Sequence, residues 1–463
     1  MWDIIVIGGG PAGYSCALRG AQLGKRVALI EKDKIGGVCL NLGCIPTKAY
    51  LHLTEILQRK EEVKSGGIYF SSPKIDISEM REWVQSIVKR LRNGIEYLLK
   101  LRGCEVIKDE GEIENGEAPF WAVRLKNRGE ILSAENIVLA TGSHPTELKE
   151  LPFDGRRVVN SDWAVEPDEL PKSLLIVGAG AIGLEMATIY SRLGTKVFVL
   201  EIMEQILPGI DGEIAHILQR QKEREGIRFL FPCQIQEGKE EDSGIEVLIR
   251  DIKKGKEFSL RTEKVLVAVG RSPKTKGLEK LGVKLSEKGF VLTDERFQTS
   301  RKNLFAIGDL TGPPLLAHKA LFEGKRLAES LGGKEMRNGE KKLIPNCIYT
   351  DPEVAVVGLS EDEAKKKGIN YRVYRVPLSA IGRSYTLNRI EGLAKALVGE
   401  DRKLIGFSLL SPFASELIGE ICLLMESGLR IEEVKDVIHP HPTLSELLAE
   451  TFDKVLGKSI HTV

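Results

Sequence analysis

The chain contains near its beginning the stretch Ile4–Glu31, which reads IIVIGGGPAGYSCALRGAQLGKRVALIE. This stretch opens with a short apolar run, passes through three glycines into a helical segment, and ends with a second apolar run and an acidic residue. Short apolar runs bounded by glycine favour buried strands, and the longer segment between them favours a helix. We therefore predict a strand, turn, helix and strand, the unit from which α/β folds with parallel sheets are built.

A second copy of this unit occupies Leu174–Glu201, LLIVGAGAIGLEMATIYSRLGTKVFVLE, and is shifted by 170 residues, as Gly178 is from Gly8. The matching positions are Gly8, Gly10, Gly13 and Glu31 in the first copy, and Gly178, Gly180, Gly183 and Glu201 in the second. A single glycine triad is weak evidence, but here strand, helix and terminal acid recur with it, as in a dinucleotide-binding fingerprint. Two units imply two dinucleotides, or one duplication with a silent copy.

Each residue type in the fingerprint has its own physical reason. The first glycine permits a tight turn, the second lets a pyrophosphate approach the backbone, and the third lets helix and strand pack closely. The N-terminus of the helix offers free N–H groups and a positive dipole end to the phosphates. The terminal acid accepts hydrogen bonds from a ribose diol. The glycines and the acid are therefore candidate cofactor contacts in both copies.

The rest of the chain carries further strand signals. Three runs end at glycine turns, where sites of such folds belong: Asn136–Gly142, Lys264–Gly270 and Asn303–Asp309. Beyond about Leu343 no fingerprint recurs, and two alternating runs precede a helical stretch: Leu393–Val398, Leu404–Leu410 and Ala414–Ser427. We predict an α/β protein with two dinucleotide-binding domains and a C-terminal α+β domain. The charged runs Glu335–Lys342 and Ser360–Gly368 are predicted to be solvated surface.

Composition narrows the choice of partners. At 463 residues, with 42% hydrophobic and 29% charged residues, the chain has the make-up of a soluble protein of two to four domains. No apolar run is long enough to span a bilayer, and a net charge of +1 leaves no basic stripe for nucleic acid. Since a strand-like run begins at Asp3, we predict no leader peptide and a cytoplasmic location.

Two of the seven cysteines, Cys39 and Cys44, lie five apart in GGVCLNLGCIPTK, residues 36–48. In a regular helix, residues five apart are separated by about 7.5 Å of rise alone, beyond the usual span of a disulfide. A bridge must therefore distort the first helical turn, and a strained bridge is more oxidising than a structural one. A helix N-terminus and Lys48 would also lower a thiol pKa. The pair is a candidate redox-active dithiol.

Alternatives for this pair are a zinc site and two inert buried thiols. No second cysteine pair is present to complete a zinc site. The other five cysteines are scattered and are predicted to be small buried residues: Cys16, Cys104, Cys233, Cys347 and Cys422.

The segment Ile438–Glu446, IHPHPTLSE, holds two of the seven histidines between prolines that restrict the backbone. A dithiol substrate must lose a proton before it attacks a disulfide, and a histidine oriented by a carboxylate suits this task near neutral pH. His441 with Glu446 fits the role of that base. Capping, core packing and metal binding are the alternatives, and the spacing does not show which histidine acts.

Several motifs coincide along the whole chain: both dinucleotide units, GGVCLNLGCIPTK, AIGD before PPLLAHKALFEG, IPNCIYTDPEVAVVG and HPHPTLSE. Together they resemble the dihydrolipoamide dehydrogenase family, within the class I flavoprotein disulfide reductases that bind two dinucleotides. The resemblance implies two Rossmann-like FAD/NAD(P)-binding domains and a C-terminal α+β dimerisation domain. The implied boundaries are 1–148 (FAD, first part), 149–270 (NAD), 271–342 (FAD and central, second part) and 343–463 (dimerisation).

The resemblance also implies which residues contact FAD and NAD. By motif position the FAD contacts are Gly8, Gly10, Gly13, Glu31, Lys48, Gly111, Thr141, Gly142, Ser143, Asp309, Leu315, Leu316, Ala317 and His318. The NAD contacts are Gly178, Gly180, Gly183, Glu185, Glu201 and Gly270. Glu201 favours NAD over NADP independently, because it would repel a 2′-phosphate and no arginine follows it in Ile202 or Met203.

In the mechanism that the resemblance implies, Cys39 exchanges with the dithiol of dihydrolipoamide and Cys44 faces the flavin as the charge-transfer thiolate. Electrons then cross to FAD and leave as hydride to NAD. Lys48, paired with Glu185, would adjust the flavin electronically. No metal is implied.

The resemblance assigns the proton transfer to His441, oriented by Glu446. It implies a homodimer in which His441 reaches the cysteines of the other subunit. The implied partner is the lipoyl domain of a dehydrogenase-complex acyltransferase or of a glycine-cleavage carrier protein. Two departures stand out, since Pro440 replaces a frequent alanine and Ser411–Phe413 replaces a glycine-proline-polar run.

Related enzymes are each disfavoured by one feature. Mercuric reductases usually end in a cysteine pair, whereas this chain ends in Ser459–Val463, SIHTV. Glutathione-type reductases carry basic residues after the second fingerprint, and soluble transhydrogenases lack the first cysteine, which is present as Cys39. From a different class, a flavin-binding or assembly subunit that has lost its chemistry should lack at least one catalytic residue, and all are present.

Overall fold

The stretch Ile4–Glu31 folds as predicted, into β1 (Trp2–Ile7), α1 (Pro11–Gln22) and β2 (Val27–Glu31). β1 and β2 pair in parallel, and their apolar side chains are buried on both faces of the sheet. A strand covered on both faces must be apolar throughout, which explains the continuous runs. The computed structural model describes residues 1–114, 120–335 and 343–462.

The first sheet is completed by later strands. The chain continues through α2 (Gly37–Leu42), α3 (Cys44–Glu62), α4 (Ile77–Leu101), β3 (Glu105–Lys108), β4 (Gly111–Ile113), β5 (Trp121–Leu125), β6 (Ile131–Leu139) and β7 (Ser143–Pro145). β3, β2, β1 and β6 lie side by side in parallel, while β4 and β5 join antiparallel. The parallel strands therefore end at one edge of the sheet. The N-cap residue of α2, Gly36, is hydrogen-bonded to Gly9 just beyond the end of β1.

The second unit repeats the four-strand parallel arrangement of the first sheet. It consists of β8 (Val158–Val159), α5 (Ser161–Ala164), β9 (Ser173–Val177), α6 (Ala181–Arg192), β10 (Lys196–Leu200), α7 (Gly212–Arg224), β11 (Arg228–Leu230), β12 (Cys233–Glu241), β13 (Gly244–Asp251), β14 (Lys256–Thr262), β15 (Lys264–Val267) and β16 (Arg271–Pro273). β11, β10, β9, β15 and β8 form a parallel sheet, with the first four in the places of β3, β2, β1 and β6, and β12, β13 and β14 form an antiparallel meander. Both repeats are thus Rossmann-like.

After the second unit the chain returns to the first sheet. β17 (Leu304–Ala306) pairs in parallel with β6, and α8 (Ala317–Leu331) packs along α1. The two helices lie so close that a Cβ at Gly324 would be 2.2 Å from Ser15 Oγ. The domain assignment of this returning segment is consistent with the pairing, although the boundaries given above stay predictions.

The C-terminal part is an α+β domain, as predicted. It contains β18 (Asn346–Ile348), β19 (Glu353–Gly358), α9 (Glu361–Lys366), β20 (Tyr371–Pro377), α10 (Gly382–Thr386), β21 (Leu393–Gly399), β22 (Leu404–Ser411), α11 (Ala414–Ser427) and α12 (Glu446–Val455). The sheet is antiparallel in the order β18, β19, β22, β21, β20. Helices α11 and α12 contribute Ile418, Ile421, Leu447 and Phe452 to its core.

Some expectations need correction. Cys16, Cys104 and Cys233 are buried, but Cys347 and Cys422 are only half-buried. The run 360–368 is not all solvated surface, because Glu361 pairs with a buried lysine of β21. Of the run 335–342, residues 336–342 lie outside the described residues. Among the helices that the structure describes, none is both long and apolar enough to cross a membrane.

Candidate active site

The first fingerprint is close-packed where its outer glycines lie and open at the middle one. Gly8 has φ +106°, and a Cβ there would lie 2.3 Å from the carbonyl oxygen of Ala140. A Cβ at Gly13 would lie 1.8 Å from the carbonyl oxygen of Gly8, closer than any side chain allows. At Gly10 the nearest atom would be 3.8 Å away. Only the middle position therefore has room for a ligand.

The second fingerprint repeats this arrangement. A Cβ at Gly178 would lie 2.5 Å from the carbonyl oxygen of Ala268, and one at Gly183 would lie 2.0 Å from that of Gly178. Around Gly180 nothing lies within 4 Å of the same point. Each turn thus leaves open backbone at the N-terminus of its helix, which fits a dinucleotide pyrophosphate.

The terminal acids point back to these turns. Glu31 Oε2 accepts a hydrogen bond from Gly9 N at 2.6 Å, and Glu201 Oε2 accepts one from Ala179 N at 2.9 Å. Both carboxylates therefore lie beside the middle of their glycine turns, where a ribose diol next to a bound pyrophosphate would reach them. The residues of both units fit a dinucleotide each.

A hydrogen-bonded chain joins three segments at the predicted FAD residues. Ser143 Oγ donates to Asp309 Oδ2 at 2.6 Å, so the residues that follow β6 and β17 meet. Arg271 donates from Nε to Ser143 Oγ at 2.8 Å and from Nη2 to the Ser143 carbonyl at 3.0 Å. Sequence reasoning missed Arg271, although it directly follows the predicted contact Gly270. Its position shows only once β16 pairs with β7.

The neighbouring FAD candidates lie on the same edge. Lys274 accepts from Thr141 Oγ1 at its carbonyl (3.1 Å) and donates its N–H to the Gly142 carbonyl (3.0 Å). Gly111 lies on β4, where a Cβ would be 3.3 Å from Ile30 Cδ1, beside the end of β2.

The motif Leu315, Leu316, Ala317 and His318 leads into α8, which begins at Ala317 with Leu316 as its N-cap residue. There His318 Nε2 lies 2.7 Å from the carbonyl oxygen of Pro345, which belongs to the C-terminal part. On the other unit, Gly270 follows β15 with φ +124°.

The cysteine pair lies between two helices rather than within one. Cys39 is in α2, Cys44 begins α3, and the break falls at Gly43, with φ −142° and ψ −109°. Gly36 N donates to the carbonyl of Gly9 at 2.8 Å, which fastens this segment to the first fingerprint. The helix break removes the constraint of regular helical rise, so the two sulfurs face each other as hydrogen-bonded thiols.

The two thiols differ in acidity. The hydrogen bond from Cys39, followed by the charge of Lys48, lowers the pKa of Cys44 to about 7. The same hydrogen bond, together with burial, raises the pKa of Cys39 above its ordinary value. Of the two, Cys44 is therefore the more readily ionised thiol.

Lys48 ties the cysteine helix to the second unit. Its Nζ lies 2.7 Å from Glu185 Oε2 on α6, and Glu185 is 5% exposed. The other carboxylate oxygen of Glu185 accepts from the backbone N–H of Tyr349 at 3.0 Å. Lys48 also lies 4.4 Å from the centre of the Tyr349 ring. The ion pair implied by the resemblance is thus present. Its carboxylate, on the second unit, contacts residues of both the first unit and the C-terminal domain.

The two histidines near the C-terminus are in different environments. His439 is 7% exposed, and its Nε2 lies 2.9 Å from Glu420 Oε1. His441 is 75% exposed, and its Nδ1 lies 2.8 Å from Glu446 Oε1. Glu446 also accepts from Thr443 N at 2.8 Å, and these hydrogen bonds help to lower its pKa. His441 therefore presents Nε2 outward on an oriented ring.

The structure does not bring His441 to the cysteines of its own chain. Within the described residues its hydrogen bond is to Glu446, and none reaches Cys39 or Cys44. The described residues also contain no group of three or more histidines, cysteines or carboxylates arranged to hold a metal ion.

A thiol pair between two dinucleotide turns defines a class of protein, and comparison with known families agrees. The chain belongs to the pyridine nucleotide-disulphide oxidoreductases: the family model matches residues 2–324, and the dimerisation domain of the same family matches residues 344–452. The dimerisation domain supports a homodimer.

Individual relatives cover nearly the whole chain. A dihydrolipoyl dehydrogenase of Thermus scotoductus is 41% identical over 99% of this chain and 98% of its own length, and one of Geobacillus stearothermophilus is 36% identical over 100% and 97%. Among solved structures, LpdA from Mycobacterium tuberculosis has a TM-score of 0.89 at 25% identity, covering 98% of this chain and 99% of its own. The flavoprotein disulfide reductase RclA of Escherichia coli has a TM-score of 0.85 at 28% identity, with the same coverage.

Proposed function

We propose that this chain is a dihydrolipoyl dehydrogenase, which oxidises a protein-bound dihydrolipoyl group to lipoyl and reduces NAD. The observation that carries the proposal is the thiol pair whose helix is joined to the second dinucleotide unit by Lys48 and Glu185. The chain belongs to the pyridine nucleotide-disulphide oxidoreductases, its relatives include proteins named dihydrolipoyl dehydrogenase, and both turns have room for a pyrophosphate. FAD belongs on the first unit and NAD on the second.

The reaction balances in atoms and electrons. Cys39 takes part in exchange with the substrate dithiol, so the Cys39–Cys44 disulfide is cleaved while the lipoyl disulfide forms. FAD, when bound, would supply the redox group through which the two electrons reach NAD. In the net reaction, one of the two thiol protons is accounted for by the hydride of NADH and the other is released to solvent. At neutral pH Cys44, with its lowered pKa, holds the negative charge of the reduced pair.

His441 would accept the proton of the substrate thiol, and Glu446 would hold its ring in place. In a homodimer the exposed Nε2 would serve the cysteines of the partner, which fits its separation from those of its own chain. The partner is proposed to be the lipoyl domain of a dehydrogenase-complex acyltransferase or of a glycine-cleavage carrier protein. The cytoplasmic location and the individual cofactor contacts are likewise proposals from the sequence.

The proposal is tested by the reduction of NAD with free dihydrolipoamide. We expect the purified protein to carry FAD and to form NADH rapidly, with NADP at least about tenfold less efficient, since Glu201 would repel a 2′-phosphate. The parallel assays use NADP as acceptor and, in the reverse direction, glutathione disulfide as the oxidant of NADH. A protein that holds FAD but reduces neither nucleotide with dihydrolipoamide would contradict the substrate assignment.

The charges around Cys44 predict two opposite shifts. Lys48 lowers the pKa of Cys44 and Glu185 raises it. Lys48→Met should therefore raise the thiolate pKa by about one pH unit or more, and Glu185→Gln should lower it. Both are measured by titrating the long-wavelength absorbance of the thiolate beside the flavin in the two-electron-reduced protein. Shifts of the same sign in both variants would contradict the electrostatic explanation.

A further inference from the structure

A buried cation lies where the second dinucleotide unit meets the C-terminal domain. Lys395 is on β21, and its side chain is 3% exposed. Its Nζ lies 2.7 Å from Asp211 Oδ2, 2.7 Å from Glu361 Oε2 and 3.4 Å from Glu213 Oε2. The hydrogen bond from Lys395 is the main reason why the pKa of Glu361 falls to about 2. Removing one partner of a buried ion pair is costly, so this cluster holds its members firmly.

Asp211 fastens the start of α7. It is the N-cap residue, and its Oδ1 accepts from Glu213 N at 3.0 Å while Oδ2 binds Lys395. One carboxylate therefore both caps the helix and anchors it to the C-terminal domain. Residues 202–210, immediately before it, connect α7 to the ribose acid Glu201 at the end of β10.

This connecting loop contacts the second fingerprint directly. Leu207 N donates to the carbonyl of Ala179, inside the glycine turn, at 2.9 Å. Leu207 is 3% exposed and has φ +47°, a conformation that a leucine keeps only when its surroundings hold it. At the near end, Met203 N donates to Glu201 Oε1 at 3.0 Å. The loop is thus hydrogen-bonded both to the glycine turn and to the terminal acid of the nucleotide site.

We propose that Lys395 is a positioning residue for NAD, holding the 202–210 loop against the glycine turn through Asp211. The inference rests on the proposed function for the identity of the nucleotide. If Lys395 has this role, the affinity of the second unit for NAD depends on a side chain of the dimerisation domain, although Lys395 touches neither the glycine turn nor the cysteines. The coupling is mechanical, because the loop is fastened at one end to the site and at the other to Lys395.

Other contacts keep α7 docked when Lys395 is lost. Lys222 Nζ donates to the Asp351 carbonyl at 2.6 Å, and Gln221 Nε2 donates to Glu391 Oε2 at 3.0 Å. Glu213 in the first turn of α7 also pairs with Arg375 of β20 at 2.7 Å. Substitution of Lys395 should therefore release Asp211 and the loop before it rather than separate the domains. The effect should appear in nucleotide binding and not in the exchange at the cysteines.

The test is Lys395→Met, with Lys365→Met as the matched control. Lys365 binds Glu361 at 3.0 Å from the exposed side and has no contact with Asp211. We expect Lys395→Met to raise the Kd for NADH and the KM for NAD about fivefold or more, while the rate of flavin reduction by dihydrolipoamide without NAD stays within about twofold. Lys365→Met should change none of these by more than about twofold.

A second variant keeps the inference testable if Lys395→Met fails to fold. Asp211→Asn retains a capping oxygen for α7 and removes the charge that Lys395 holds, so it should raise the Kd for NADH in the same direction. An unchanged Kd in a folded, dimeric variant would overturn the inference. NADH binding needs no dithiol, so the Kd for NADH of the wild type and the variants can be compared whatever the substrate is. A wild-type protein that is inactive with dihydrolipoamide would therefore refute the proposed function without deciding the role of Lys395.

Discussion

A Cys44→Ser variant is expected to retain FAD and to lose roughly a thousandfold or more of its NAD reduction by dihydrolipoamide. The serine hydroxyl can neither form the disulfide nor carry the thiolate charge at neutral pH, so the electrons have no path from the substrate. FAD should remain, because the first fingerprint and the chain through Ser143 and Asp309 do not depend on this side chain. Steady-state assays and the flavin absorbance after gel filtration measure both results.

The companion variant Cys39→Ser separates the roles of the two sulfurs. It should be equally inactive, yet it leaves the Cys44 thiolate beside the flavin and should show the long-wavelength thiolate absorbance without any reductant. Cys44→Ser should not show it. Cys422→Ser, which changes a half-buried thiol of α11, should keep turnover within about twofold. If the absorbance appeared in Cys44→Ser instead, the two assignments would have to be exchanged.

A His441→Ala variant is expected to lose about a hundredfold to ten-thousandfold of its turnover, the usual contribution of a general base. The ring is exposed and hydrogen-bonded to Glu446, so its removal should cost little stability and leave FAD in place. Without the base, the substrate must ionise by itself. The residual rate should therefore rise with pH over a range in which the wild-type rate is nearly flat, as a pH–rate profile would show.

His439 provides the matched control. Its ring is buried against Glu420, so His439→Ala should lower the melting temperature more than His441→Ala but keep the turnover of the folded enzyme within about fivefold. Glu446→Gln should lose less activity than His441→Ala, because this substitution weakens the hydrogen bond that orients the imidazole of His441 but leaves the imidazole in place. If His439→Ala were less active than His441→Ala, the role of base would have to be reassigned from His441 to His439.

The fold could be predicted well where local chemistry decides it. The glycine turns at Gly8 and Gly178 allow no Cβ, so the same pattern marked both units in the sequence and formed in the structure. The alternating runs of β21 and β22 also formed, since one face of each packs against a helix. The disposition of Cys347 and Cys422 could not be predicted, because burial depends on what packs above a residue.

The candidate site divides in the same way. The sequence by itself determined that two dinucleotide turns, a cysteine pair and a histidine with a carboxylate are present, because each is encoded within some thirty neighbouring residues. Only the tertiary structure decided that Arg271 reaches Ser143, that His441 and not His439 faces outward, and that Lys395 meets Asp211, 184 residues away in sequence. Contacts between distant segments follow from how helices and sheets pack, and residue spacing carries no record of that packing.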